Sequence, residues 1–252
     1  MRCGVLLKKQ KNLTELEYFE GQLGDAWIWV AFDPVNKVII AFTIGKRTRS
    51  KARELLHIFR ERVSETIPYF TSDELDHYTS AIFEEYGIEK TFPKTGKRGR
   101  PKKSIKEIPP ALVYAQVHKH RERGRVKKID THIIFGTATQ VKGILLDSPV
   151  SNSVNTSFIE RTNLTFCQQN GRFQRKTLQF SKEKELLSSQ LHLFLGYYHF
   201  IRPHQSLQIR NTMKTKKWSN QTPFMSAGIT DHLWTFRELY FYKIYFKKGG
   251  EL

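Results

Sequence analysis

Two nearly unbroken apolar runs lie early in the chain, Trp27-Ile28-Trp29-Val30-Ala31-Phe32 and Val38-Ile39-Ile40-Ala41-Phe42-Thr43-Ile44. Both are rich in β-branched and aromatic residues. The intervening Asp33-Pro34-Val35-Asn36-Lys37 is turn-forming, so the pair predicts a hairpin. Neither run alternates with polar residues, which predicts strands covered on both faces by helices. The segment from Cys3 to Leu7 predicts an earlier strand. Ala52, Leu55, Leu56, Phe59 and Val63 then recur at helical spacing behind Ser50, a candidate cap. Ile67-Pro68-Tyr69-Phe70-Thr71 predicts a short strand ending in Ser72-Asp73, and a helix is expected from about Leu75 to Tyr86. Strand, strand, helix, strand, helix is the order of a mixed α/β layer domain.

From about Thr91 to Pro110 the pattern breaks. This stretch holds four prolines and the run Lys97-Arg98-Gly99-Arg100-Pro101-Lys102-Lys103, so it reads as an exposed loop or insertion. Ala111 to His118 fits a short helix or a strand, and His132-Ile133-Ile134-Phe135 a strand. A helix is expected from Val154 to about Gln169. A longer one, Glu183 to Ile201, carries Leu186, Leu187, Leu191, Phe194, Tyr198 and Ile201 as its apolar stripe. Asp231 to Tyr240 is helical in character, a basic strand-like tail follows, and there is no internal repeat. The expected organisation is a domain begun in 1–90, interrupted at 91–110, resumed in 111–207 and extended by 208–252.

Charge narrows the function classes. Forty-two Lys and Arg against 24 Asp and Glu give +18 and a pI near 9.9. That excess suits a polyanionic partner, most often nucleic acid, with a plain solubility bias as the bland alternative. No basic amphipathic helix or lipidation signal points to a membrane surface, and no apolar run approaches the roughly 18 residues a span requires. Cys3 and Cys167 show no pairing pattern and no Cys-x-x-Cys spacing. The expectation is a soluble, reduced, cytoplasmic protein, nucleoid-associated through DNA, without a structural zinc.

Three segments, in order, resemble DDE-type insertion-sequence transposases, in particular the group named for insertion sequence one. The first is Trp29 to Asp33 followed by Ile40 to Thr48; the second is Phe70-Thr71-Ser72-Asp73 with Tyr78 five residues on. The third, and most specific, is Ile159-Glu160-Arg161-Thr162-Asn163-Leu164, Asn170 to Thr177 and Phe180-Ser181-Lys182, continuing into Tyr198 to Leu207. Thr222 to Asp231 is similar as well. The resemblance implies an α/β, ribonuclease-H-like catalytic domain, a mixed sheet flanked by helices, with a helical C-terminal extension. Such domains place two aspartates and one glutamate around two Mg²⁺ or Mn²⁺ ions, about 4 Å apart, that serve both ends of a phosphodiester displacement. Matched residue by residue, Asp73 stands at the family's second aspartate and Glu160 at its glutamate. Taken alone, Asp73 reads as a helix N-cap and Glu160 as a surface helix carboxylate paired with a cation. The implied partners are double-stranded DNA, as transposon ends and target, and further copies of the chain in a transposition complex.

The family's first aspartate sits on the first strand, shortly before the hairpin. Here the segment that should follow it already begins at Cys3, and no acidic residue precedes Glu15. Glu15, Glu17, Glu20 and Asp25 fall in an expected polar loop, too late to replace a mid-strand ligand. Asp33 lies at the hairpin end of its strand and reads as a turn residue. The expectation is therefore an N-terminally truncated chain with little strand transfer, and its alternative an inactive DNA-binding remnant or inhibitor. A nuclease on the same fold fits less well, because the tail after Ser181 resembles transposases specifically. Cys167 stands where relatives often carry an arginine.

Candidate DNA contacts fall in two places. Arg98-Gly99-Arg100-Pro101 resembles the core of an AT-hook, whose glycine lets an extended backbone lie in the minor groove; a solvated charge run is the other reading. Arg161, Arg172, Arg175, Lys176 and Lys182 cluster around and after the Glu160 helix, as phosphate contacts or solvated cations. His204 reads equally as a structural histidine and as a group near the active site.

Overall fold

The structure, a computed structural model, describes residues 2–6, 25–92, 103–173, 178, 181, 183–211 and 217–242. Strand β1 (Arg2–Leu6) runs antiparallel to β2 (Asp25–Asp33), with Arg2 opposite Trp29 and Leu6 opposite Asp25. Asp25 is thus the first residue of a strand, held in the ladder by Leu6, and not part of a loop. Beyond β2 lies β3 (Val38–Gly45), completing a three-stranded sheet. A four-residue connection permits only the antiparallel pair the sequence predicts.

Helix α1 (Arg49–Arg62) buries Ala52, Leu55, Leu56 and Phe59. Its N-cap is Thr48 and not Ser50, which lies within the first turn, and no side chain caps it. Strand β4 (Phe70–Asp73) begins later than the apolar run that predicts it. Pro68 has no N–H for a ladder, so pairing starts where the Phe70 N–H donates to the Val113 carbonyl at 3.0 Å. Helix α2 (Asp76–Tyr86) follows, burying Tyr78, Ala81, Ile82 and Tyr86.

The expected loop over 91–110 is closed at its base by a two-stranded antiparallel sheet. Its strands are β5 (Ile88–Lys90) and β6 (Ile105–Glu107), with Lys90 and Glu107 in an ion pair of 2.8 Å. Ala111 to His118, read from sequence as short helix or strand, falls largely in β7 (Tyr114–Glu122). His132 to Phe135 is only the end of the eleven-residue β8 (Arg125–Phe135). β7 lies between β4, to which it is parallel, and β8, to which it is antiparallel. The chain is therefore mixed α/β, with a mixed sheet flanked by helices.

After β8, Gly136 takes φ +86°, where a Cβ would meet Val113 at 3.2 Å. This turn releases Thr137, whose capping box with Gln140 starts α3 (Ala138–Leu146), a helix with no forecast in the sequence pattern. Helix α4 (Ser157–Gln169) and a 3₁₀ turn at Gly171–Phe173 come next. One apolar cluster joins β2, β3, α1, α2, β7 and β8. It contains Trp29, Ala41, Leu55, Phe59, Tyr78, Leu112, Tyr114 and Phe135.

The chain folds into two compact units: 1–32 with 40–184, and 33–39 with 185–252. The second unit contains α5 (Lys184–Gly196) from its second residue on, and this helix passes into a π-helical turn at Tyr197–Ile201 in place of one continuous α-helix. Widening the turn lets two successive residues face the same way. Tyr198 Oη donates to the Lys37 carbonyl at 3.0 Å, and His199 Nε2 accepts the Ile39 N–H at 3.0 Å. Leu187, Leu191, Phe194 and Tyr198 are buried as the stripe predicts, whereas Leu186 is 55% exposed. The unit also holds β9 (Ile209–Arg210) paired with β10 (Trp218–Ser219), then α6 (Pro223–Ser226) and α7 (Phe236–Phe241). Helix α7 starts later than the expected Asp231, because the Thr235–Glu238 capping box fixes its first turn. Among the described residues no helix is long and apolar enough to cross a membrane.

Candidate functional site

Asp73 closes β4, and a chain of hydrogen bonds fixes the backbone there. Gln116 Nε2 donates to Tyr114 Oη at 2.8 Å, Tyr114 Oη and Ser72 Oγ are 2.7 Å apart, and Ser72 Oγ donates to the Asp73 carbonyl at 2.7 Å. Because the Ser72 proton is committed to that carbonyl, the Tyr114 hydroxyl must donate to Ser72. The Asp73 side chain does not serve as a helix cap: α2 begins at Asp76, its N-cap is Leu75, and no side chain bonds to it. Asp73 is half-buried beside the buried phenol of Tyr78. Burial foremost, and then the Asp73 charge, push the Tyr78 hydroxyl far above its ordinary range.

Glu160 occupies the first turn of α4, where the exposed amides of the helix end favour an anion. Its Oε1 accepts a hydrogen bond from Thr156 Oγ1 at 2.7 Å and forms an ion pair with Lys119 Nζ. Partial burial works to raise its pKa, but the bonds from Lys119 and Thr156 and the charges of Lys119 and Arg121 outweigh it. The carboxyl is held below its usual range.

The sheet brings these two acids to one face. Asp73 is in register with Val117 on the parallel strand β7, and β7 runs on past the end of β4. Lys119 lies two residues beyond Val117, hence on the face that Asp73 shares, about 6.6 Å along the strand. Its ammonium is held on Glu160. Among the described residues no three His, Cys, Asp or Glu side chains come together in a way that could hold a metal ion. Two acids, one of them already neutralised by a lysine, do not fit a two-ion centre, which needs anionic oxygens to offset the ions' charge.

Replacing Lys119 exposes how this pair is balanced. In Lys119→Met the burial of Glu160 remains while its largest opposing partner is gone, so its pKa should rise relative to the native chain. Carboxyl-carbon NMR titration measures this directly; an unchanged Glu160 midpoint would mean that the ion pair does not persist in solution.

The other sequence candidates fall elsewhere. Arg161 is exposed on α4, next in sequence to Glu160. Arg172 is half-buried and donates to the fully buried Ser181 hydroxyl at 3.1 Å, tying the 3₁₀ turn to the following segment. Arg98, Arg100, Arg175, Lys176 and Lys182 lie outside the described residues, as do Glu15, Glu17 and Glu20. Asp33, in the second unit, accepts from the Val35 N–H at 2.8 Å, the Asn36 N–H at 3.2 Å and Asn36 Nδ2 at 2.9 Å. Both its oxygens are thus used to close the hairpin turn. His204, in the same unit, is half-buried; its Nδ1 is 2.9 Å from Ser206 Oγ and its N–H bonds to the Gln221 carbonyl. Cys167 is half-buried near the end of α4.

Lys119 and Arg121 were not candidates in the sequence. The strand that carries them has its apolar residues only at one end, and its polar half reads as loop. Comparison with family models, with curated proteins and with solved structures finds no match to this chain.

Proposed function

We propose that this chain is the catalytic domain of a DDE-type insertion-sequence transposase, with a ribonuclease-H-like fold, acting on double-stranded DNA. The reading rests on the three ordered segments of resemblance and on one observation: Asp73 is in register with Val117 on β7, and Lys119, two residues further along that strand, holds Glu160. In an intact member these two residues would supply the second and third metal-binding carboxylates. Here the chemistry is impaired, because Lys119 occupies Glu160 and the described residues offer no third ligand beside them.

What the residues accomplish unaided is binding and placement. The hydrogen-bonded chain through Gln116, Tyr114 and Ser72 fixes the backbone at Asp73. Lys119 and Arg121 place positive charge at the same face, where a phosphate of DNA would be attracted. The Lys119–Glu160 pair also favours a second reading, a transposase derivative that binds DNA without cutting it.

Nicking of a supercoiled plasmid in Mg²⁺ or Mn²⁺, together with duplex binding at low salt, tests the proposal. The expected result is salt-sensitive binding, with any metal-dependent nicking weak and lost in both Asp73→Asn and Glu160→Gln. Nicking that survives both substitutions, or no duplex binding at low salt, overturns the assignment; binding with no nicking in any form selects the second reading.

A further inference from the structure

From the charge and shape of the β7–β8 ribbon we infer a docking surface for duplex DNA, centred on Arg121, Arg123 and Arg125. The choice of DNA as ligand rests on the reading above; the surface itself rests on four observations. First, β7 and β8 pair out to Glu122 opposite Arg125, with a register shift between His120 and Arg121, and every residue from His120 to Ile129 is exposed. The outer part of the ribbon therefore carries no core. Second, residues 119–130 hold six cations (Lys119, Arg121, Arg123, Arg125, Lys127, Lys128) against two acids (Glu122, Asp130). Lys127 is paired with Glu122 at 2.6 Å and Lys128 with Asp130 at 2.9 Å. Arg121, Arg123 and Arg125 make no ion pair among the described residues, so their guanidinium groups are available to a ligand. Third, the charge of Arg121 reaches Glu160, which makes the ribbon's cations continuous with the face that carries the candidate site.

The fourth observation is the turn. Arg123 (φ 48°) and Gly124 (φ 80°) form its two central positions, both in the left-handed region that a tight two-residue hairpin demands. Asparagine or glycine suits the first of these positions, and arginine does so only at a cost in backbone strain. Among the described residues, no hydrogen bond or ion pair of the Arg123 side chain offsets that strain. Its position at the tip of a charged ribbon is what a phosphate contact requires, and a two-stranded ribbon is also narrow enough to enter the major groove.

Arg123→Asn separates fold from function, since it suits the turn better while removing the charge. Binding of the full chain to a short fluorescent duplex is measured by anisotropy across a range of salt concentrations, alongside thermal unfolding. The expected result is an equal or higher melting temperature for Arg123→Asn. The slope of log affinity against log salt should become shallower by about 1, and by about 3 when Arg121→Gln and Arg125→Gln are added. Slopes unchanged in the triple variant overturn the inference. Because the readout is binding, absence of nicking in the native chain would count against the catalytic assignment and leave this surface standing. Nicking without any ribbon dependence of binding would do the reverse.

Discussion

Between pH 7 and pH 4.5 the stability of the second unit should fall by about 3 kcal/mol through His199 alone. This imidazole is 5% exposed and packed face to face on Phe224, with ring centroids 4.4 Å apart. Its Nε2 accepts the Ile39 N–H, which fixes the proton on Nδ1. Burial lowers its pKa from 6.5 to about 3, so the folded unit resists a proton that the unfolded chain accepts. The contribution is complete above pH 6.5 and is lost as the pH falls below it, at about 1.4 kcal/mol per pH unit. Protonation would also turn Nε2 from acceptor to donor against a backbone N–H, so the turn at 33–39 should be released with it. Urea unfolding of the native chain and of His199→Gln at both pH values provides the comparison. Glutamine offers Ile39 an acceptor that does not titrate, so the variant should lack this increment of acid sensitivity. Equal losses in the two proteins would show that His199 is not held neutral by the fold.

His199 also illustrates which features the sequence made legible. The long helical stripe was visible, because Leu187, Leu191, Phe194 and Tyr198 recur at helical spacing and are all buried. The π turn that brings His199 inward alongside Tyr198 was not, since the pattern of apolar residues does not encode which backbone carbonyl an amide selects. The hairpin of β2 and β3 and helices α1 and α2 were legible for the same reason as the stripe: each buries one continuous apolar set. Strands β7 and β8 were seen only at their buried ends. Outside the core, strand pairing is held by the ladder and a tight turn, and Arg-Gly lacks the Asn-Gly or Asp-Gly signature that announces such a turn.

At the candidate site, Asp73 and Glu160 were named from their motifs, whereas their common neighbour Lys119 depends on register. Only the pairing of Asp73 with Val117 shows that β7 continues past β4 and carries a cation to Glu160. The caps failed in a related way. Ser50 and Asp73 are both suitable capping residues, but the chain turns into its helices at Thr48 and Leu75, two or three residues after the strands before them end. Local preference yielded to the position of the sheet.

Trp29→Ala should be the most damaging single substitution in the first unit, costing about 3–5 kcal/mol. The indole is fully buried and belongs to the cluster that joins β2 to α1, α2 and β7. It meets Tyr78 edge-on, with centroids 5.6 Å apart and planes 76° apart. Removing it leaves a cavity that a sheet and two helices cannot close without shifting, and most domains have only about 5–15 kcal/mol to lose. The consequence should extend to the candidate site, because the charge of Asp73 acts on the buried Tyr78 hydroxyl. Trp29→Phe retains a ring on Tyr78 and should lose about 1–2 kcal/mol. Urea midpoints with unchanged m values give the energies, and amide exchange at Thr71 and Ser72 reports whether the end of β4 loosens along with them. A loss below about 1 kcal/mol in Trp29→Ala would mean that the cluster repacks around the gap. Full loss of stability with β4 still protected in the residual folded population would instead separate the core from the position of Asp73.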